Sequence, residues 1–236
     1  IFQQSSCGGS ALSDITGLTG TSYNYTAPSE ATYSFQLVTF DNSGRQSPVS
    51  ACSTDITIDQ TNPVAATGLK TPVDVASGAD ANYDTTNTEI FFAWVAATDA
   101  GSGLASYTLK RYDQASCGGT SSDTAGIGAG VSSQSFTGVE GTTYSFEVVA
   151  IDDAGNSTTS ACSSDVMIDL TDPAVATDLI TPADASGASD AAFDDDLSIF
   201  VDWTAGTDAG SGVASYTLKI FQQSSCGGSA LSDITG

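Results

Sequence analysis

Apolar residues in this chain come in short runs separated by turn-forming residues, and no segment keeps a helical period long enough to compete with strands. Glu89 to Val95 (EIFFAWV) is aromatic and β-branched, the pattern of a buried strand. Leu104 to Tyr112 (LASYTLKRY) alternates Leu104, Ser106, Thr108 and Lys110 with Ala105, Tyr107, Leu109 and Arg111, the pattern of a half-buried strand. Further strands are predicted near Val64 to Lys70, over Val131 to Thr137, over Thr143 to Ile151 and near Ser163 to Ile168. Between them, TDAGSG (Thr98 to Gly103) and DDAGNS (Asp152 to Ser157) carry the Asp, Gly, Ser and Asn of turns. GIGAG (Gly126 to Gly130) has no following helix to make it a dinucleotide-binding turn and reads as a flexible loop. These six runs come close to the seven strands expected of a β-sandwich.

The pattern repeats. IFQQSSCGGSALSDITG occurs as Ile1 to Gly17 and again, unchanged, as Ile220 to Gly236, 219 residues on. A finer period lies inside it. IDQTNPVAATGLKTP (from Ile58) matches IDLTDPAVATDLITP (from Ile168) at an offset of 110, and ATDAGSGLASYTLK (from Ala97) matches GTDAGSGVASYTLK (from Gly206) at 109. The unit is a module of about 110 residues, and the expected organisation is a complete module over 62–171 flanked by the second half of another (1–61) and the first half of a third (172–236). Such a chain reads as a window on a longer array, which also accounts for a start without Met or leader. IDQTNP and IDLTDP join modules with no Gly/Ser spacer, and Pro63 and Pro173 restrict the backbone there.

FFAW with Trp94, then GSGLASYTLKRY (Gly101 to Tyr112), then SSQSFTGVEGTTYSFEVVAIDDAGNS (Ser132 to Ser157) follow one another in an order that resembles a fibronectin type III domain. The resemblance covers the complete module and both partial ones. It implies an all-β fold of tandem seven-stranded, Ig-like sandwiches. It also implies that Tyr144, with Tyr33 its equivalent, is a corner tyrosine bonding nearby backbone through its hydroxyl. Trp94, Trp203, Phe92, Tyr107, Phe136 and Phe146 then read as core.

The cysteines depart from that family. Cys7 and Cys52 are 45 residues apart, as are Cys117 and Cys162, while Cys226 stands alone with its partner expected beyond the window. Even spacing argues for one disulfide per module and for an oxidising compartment. A sandwich does not make the two positions obvious neighbours, so the SSCGGS loop folds back or the bonds join different modules or chains. Zinc lacks the paired cysteines and histidines it needs.

Charge narrows the partners. Five basic residues face 28 acidic ones, for a formal charge of −23 with no histidine. Such a field repels phosphate backbones and anionic lipid, so neither nucleic acid nor a membrane surface is an expected partner, and no apolar run is long enough to insert. It favours divalent cations, or simply solvates the surface. Oxygen donors cluster at TDAGSG (Asp99, Ser102), at DDAGNS (Asp152, Asp153, Asn156), at Asp194 to Asp196, and at the junctions (Asp59, Asp169, Asp172). Asp99, Asp152, Asp153 and Asn156 are the calcium candidates, because their two loops lie at one end of such a sandwich, although EF-hand spacing is lacking. No other cofactor is implied. Asn24 and Asn156 begin glycosylation sequons. With no histidine and no G-x-S-x-G elbow, nothing points to an enzyme.

The expected function is therefore structural: an extracellular filament or adhesin stalk at a microbial cell surface, its partners being neighbouring modules or identical chains. The alternatives are an array that binds a glycan or host protein, and the spacer of a secreted enzyme. Strand exchange between half-modules of successive chains fits less well, since both ends offer the same strand.

Overall fold

The computed structural model of the chain describes residues 1–71, 79, 81–86, 88–181, 191–193 and 197–235. Strands β1 (Ala31–Tyr33) and β2 (Ile56–Ile58) pair in the N-terminal segment. Next come β3 (Thr67–Lys70), β4 (Tyr83–Asp84), β5 (Glu89–Val95), β6 (Leu104–Tyr112), β7 (Ser122–Gly128), β8 (Ser133–Thr137), β9 (Thr143–Asp152), β10 (Ser157–Thr159) and β11 (Val166–Ile168). The C-terminal segment holds two antiparallel pairs, β12 (Thr177–Ile180) with β13 (Asp202–Thr204), and β14 (Thr217–Ile220) with β15 (Ser232–Thr235).

Strands β3 to β11 close into two facing sheets. One has the order β3-β5-β8, and the other has β4-β11-β9-β6-β7 with β10 also on β9. Every pairing is antiparallel except β4 with β11. Period-two alternation drives the closure: Ile90, Phe92 and Trp94 of β5 face Tyr144, Phe146, Val148 and Ala150 of β9, all 5% exposed or less. The Phe92 and Phe146 rings stack at 4.4 Å, and Trp94 meets Tyr107 edge-on at 5.6 Å. Tyr144 is 3% exposed and its hydroxyl accepts the Val139 N–H at 2.9 Å, while the Tyr33 hydroxyl donates to the Ser29 carbonyl at 2.8 Å, so both are corner tyrosines.

The six predicted strands of this region are present, with β4, β7 and β10 in addition. The flexible-loop reading of GIGAG is corrected by β7, which runs to Gly128 along the edge of β6 and buries Ile127. A register shift there sets Ala125 and Gly126 opposite Thr108, and Gly126, at φ +75°, supplies the left-handed backbone of that bulge. Two aromatic assignments also change. Phe136 is only half-buried, at the core's margin with the Arg111 guanidinium 4.6 Å over its ring. Trp203 is half-buried too, edge-on to Tyr216 at 5.5 Å.

Strands β10 and β11 lie on the same side of β9 and act as one interrupted strand, at the sheet edge along β10 and covered by β4 along β11. Between them Ser160 and Ser163 donate their N–H to the carbonyls of Val148 and Phe146, three residues advancing for every two on β9. The bulges turn the local carbonyls away, and each serine hydroxyl takes over by accepting the partner's N–H at 3.0 and 2.9 Å. Ser47, Ser50 and Ser53 do the same to Thr39, Leu37 and Phe35 in the preceding segment. Cysteine geometry follows from this edge. After β6 the short 3-10 turn Ala115–Cys117 crosses over β9, held by the buried Ser145 hydroxyl, which accepts the Cys117 N–H and donates to the Gln114 carbonyl. There Cys117 bonds Cys162 of the serine-bulged strand, and Cys7 bonds Cys52 in the same way, so both disulfides are internal to their segments. Cys226 is free and exposed.

Two stability tests follow. Replacing Cys117 and Cys162 together by Ser should cost about 4 kcal/mol for a loop of this length, read as a lower urea midpoint. Phe92→Ala should cost about 3–5 kcal/mol in the same assay, because the stack on Phe146 leaves a cavity that neither sheet can fill.

Candidate functional site

Three segments meet at one end of the sandwich. Asp59 follows β2 and belongs to the junction, Asp99 lies in the turn between β5 and β6, and Asp152 closes β9. One carboxylate oxygen from each lies within 4.8 Å of the other two. Asp152 is 2% exposed and Asp59 9%. Among the described residues none of the three is in a salt bridge.

Local turn chemistry aims each carboxylate. Asp99 Oδ2 accepts the N–H groups of Gly101 and Gly103 at 3.0 and 2.8 Å, which curls the turn around it. Asp59 Oδ1 accepts from Thr61 at 3.0 Å, and its Oδ2 from Ser102 at 2.6 Å, across 43 residues of sequence. Position 101 has to be glycine for this approach, since any Cβ there would collide with the Asp59 carboxylate. Ser102, through its hydroxyl first and its amide second, holds the Asp59 carboxyl below the usual carboxylate range against the opposing effect of burial. Asp152 Oδ1 accepts the Asn156 N–H at 2.7 Å. The Asn156 side-chain amide donates both to Asp152 Oδ2 at 2.9 Å and to the Asp59 carbonyl at 3.1 Å. Ser102 Oγ accepts the Ala154 N–H at 3.1 Å, completing the tie between the two turns.

Of the four calcium candidates, Asp99 and Asp152 come together. Asp153 is exposed and outside the trio, and Asn156 faces it through its N–H₂ group, as a cross-link. The same use of its amide sets the Asn156 sequon apart from that of the exposed Asn24. Asp172 is exposed, and Asp194 to Asp196 lie outside the described residues. Asp59 is the member that sequence reasoning left at the junction. Its signal was positional: Asp59 and Asp169 stand at the same place, four residues before Pro63 and Pro173.

That place is built twice. Asp169, 7% exposed, accepts the Ser211 N–H on Oδ2 at 2.8 Å, Gly210 leaves room for its carboxylate, and Ser211 lowers its pKa as Ser102 does for Asp59. Asp208, the counterpart of Asp99, accepts from Gly212 at 2.6 Å. Around both junctions the contacts recur. Glu30 binds the Gln60 N–H and the Thr61 hydroxyl, as Glu140 binds those of Leu170 and Thr171. Val64 donates to the Thr98 carbonyl, and Ala174 to that of Thr207, each at 2.8 Å.

The sheet orders define the class: the central part of the chain is a fibronectin type III-like β-sandwich. No family profile and no curated protein sequence matches the chain. Among solved structures it is similar to the FN1–FN3 domains of chicken CNTN1, with 18% identity and a TM-score of 0.40 over 61% of this chain and 44% of that one. It is also similar to an Fn3-like protein from Clostridium thermocellum, with 22% identity and a TM-score of 0.29 over 46% of this chain and 93% of that one. A structure described as a myokine aligns at 14% identity and a TM-score of 0.30, over 44% and 94% of the two chains. The chain thus spans less than half the length of the CNTN1 fragment.

Removing the cross-link tests the description. Asn156→Ala leaves the Asp59 carbonyl and Asp152 Oδ2 without their donor and should cost about 1–3 kcal/mol. Faster proteolysis between residues 59 and 63 would accompany the loss, and an unchanged cleavage rate would contradict the bridging role.

Proposed function

We propose that the chain is a length of stiff extracellular rod, the shaft of a filament or of an adhesin stalk at a microbial surface, made of tandem fibronectin type III-like modules. The fold class is that of structural and binding modules, and the recurring junction carries the narrower reading. At both junctions the last strand of one module passes into the next through a hydrogen-bonded Asp-x-Thr segment with no flexible spacer. Linkers anchored on both sides transmit orientation, and stacking then propagates it along a one-dimensional array. The identical 17-residue segments 219 residues apart support the same reading, because a register kept over two modules suits a periodic shaft. Two disulfides fit an oxidising, extracellular setting. Among the described residues no helix is long and apolar enough to cross a membrane.

Neighbouring modules or identical chains are the natural partners in this reading, and no step of catalysis is assigned. Recognition of a glycan would call for a row of exposed rings. The exposed aromatics Tyr23, Phe40, Tyr83, Phe193 and Phe200 are spread over separate segments, and the rings of the central sandwich are largely spent on its core.

Electron microscopy of the native material decides the matter. Continuous beaded fibres whose repeat spans two modules are the expected image. Isolated compact particles would sink the filament and leave a soluble binding or spacer module.

A further inference from the structure

The geometry points to a divalent-cation site at the junction formed by Asp59, Asp99 and Asp152, with Asp169 and Asp208 in the corresponding places at the second junction and calcium as the class of ion that fits. Oxygens bound to one calcium at 2.3–2.6 Å can lie up to roughly 5 Å from one another. The three carboxylates meet that condition, each offering an oxygen within 4.8 Å of the other two. Their mutual repulsion has no lysine or arginine to offset it among the described residues.

An acidic cluster alone would not carry the inference, since turn aspartates satisfied by backbone are common. The second junction adds an independent observation. There Asp169 Oδ1 and Asp208 Oδ1 are buried atoms with no hydrogen-bond partner among the described residues, although the other oxygen of each carboxylate accepts a backbone N–H of the turn and the Thr171 backbone also lies against the Asp169 carboxyl. Asp169 is 7% exposed and its carboxylate lies against Gly210 inside the Asp208–Gly212 turn. A buried carboxylate oxygen with no donor is costly unless something positive meets it. Two such oxygens on the counterparts of Asp59 and Asp99 mark the place where the first junction gathers its carboxylates.

Calcium suits this site better than magnesium. The ligands come from two turns and a linker rather than from one rigid frame, and calcium accepts irregular coordination completed by water, whereas magnesium asks for a near-octahedral shell and gives up water reluctantly. The ion would join Asp59, which belongs to the preceding segment, to Asp99 and Asp152 of the sandwich. Binding would then lock the orientation of successive modules. The inference stands apart from the filament reading, because a chain that forms no fibres can still bind the ion.

The test is calorimetric titration of the chelator-stripped chain with calcium chloride, repeated with magnesium chloride, and thermal unfolding with and without calcium. Saturable binding of calcium, tighter than magnesium, with an unfolding midpoint that rises with calcium concentration, is the expected result. Asp99→Asn and Asp59→Asn should each weaken binding at least about tenfold. Asp123→Asn, which removes only a surface partner of Lys110, should not. Asp59 lies outside the central sandwich, so its variant keeps the test sound if Asp99→Asn fails to fold. No saturable binding by the native chain, or equal affinity in a folded Asp59→Asn variant, would overturn the site and reduce calcium to a diffuse counterion of a chain of charge −23.

Discussion

The central sandwich depends on one strand being enclosed on every side. The inward residues of β9 (Phe146, Val148 and Ala150) are fully buried, its two edges are taken by β6 and by the interrupted β10–β11 strand, and its outer face is crossed by the turn that carries Cys117. Burying rings and branched side chains of this size contributes roughly 1.5–3 kcal/mol each, and the stacked Phe92–Phe146 pair adds about 0.5–1.5 kcal/mol beyond that. Strands β3 to β11 have little other core. The disulfide reinforces the same strand from outside: it does not close the sandwich, but it fixes the flanking turn and edge against each other across β9.

Legibility in the sequence tracked period. Where side chains alternate strictly, as in EIFFAWV and TYSFEVVAI, strand and buried face could both be read. Ser122 to Gly128 has one buried side chain and a glycine in a bulge, so its pairing with β6 rests on backbone bonds that composition does not report. The edge strand failed differently. Ser160 and Ser163 keep a period of three, neither helical nor extended, and only their hydroxyls' part in the ladder gives that spacing a meaning. Phe136 illustrates a third limit: an aromatic ring at a sheet margin looks like core in sequence but serves as a platform for Arg111.

The junction site was half legible for a related reason. Asp99 and Asp152 stand in turns that any Ig-like sandwich places at one end, so their proximity followed from topology. Asp59 arrives from the preceding segment, and its position depends on how the linker leaves β2. That path is set by Glu30 gripping Gln60 and Thr61 and by Gly101 leaving space, contacts separated by 30 to 43 residues that no local pattern reveals. Asp153 shows the converse: adjacent to Asp152 in sequence, it stands past the end of β9 in the turn to β10, where it is exposed.

Acidity and regularity bear on one another at this point. A chain of net charge −23 over 236 residues repels itself, which extends a flexible chain but does not align its segments. Alignment needs directional contacts, and the two junctions supply the same ones at the same places: Asp59 to Ser102 and Asp169 to Ser211, Glu30 to Thr61 and Glu140 to Thr171, Val64 to Thr98 and Ala174 to Thr207. Each uses a backbone N–H or a short hydroxyl side chain as donor, groups that lose little conformational entropy on ordering. Charge therefore sets repulsion without direction, while uncharged donors fix the path of the chain at each junction. Among the described residues Asp59, Asp99 and Asp152 run against that rule, since each brings a carboxylate oxygen within 4.8 Å of the other two, and the turns that hold them do so through backbone donors.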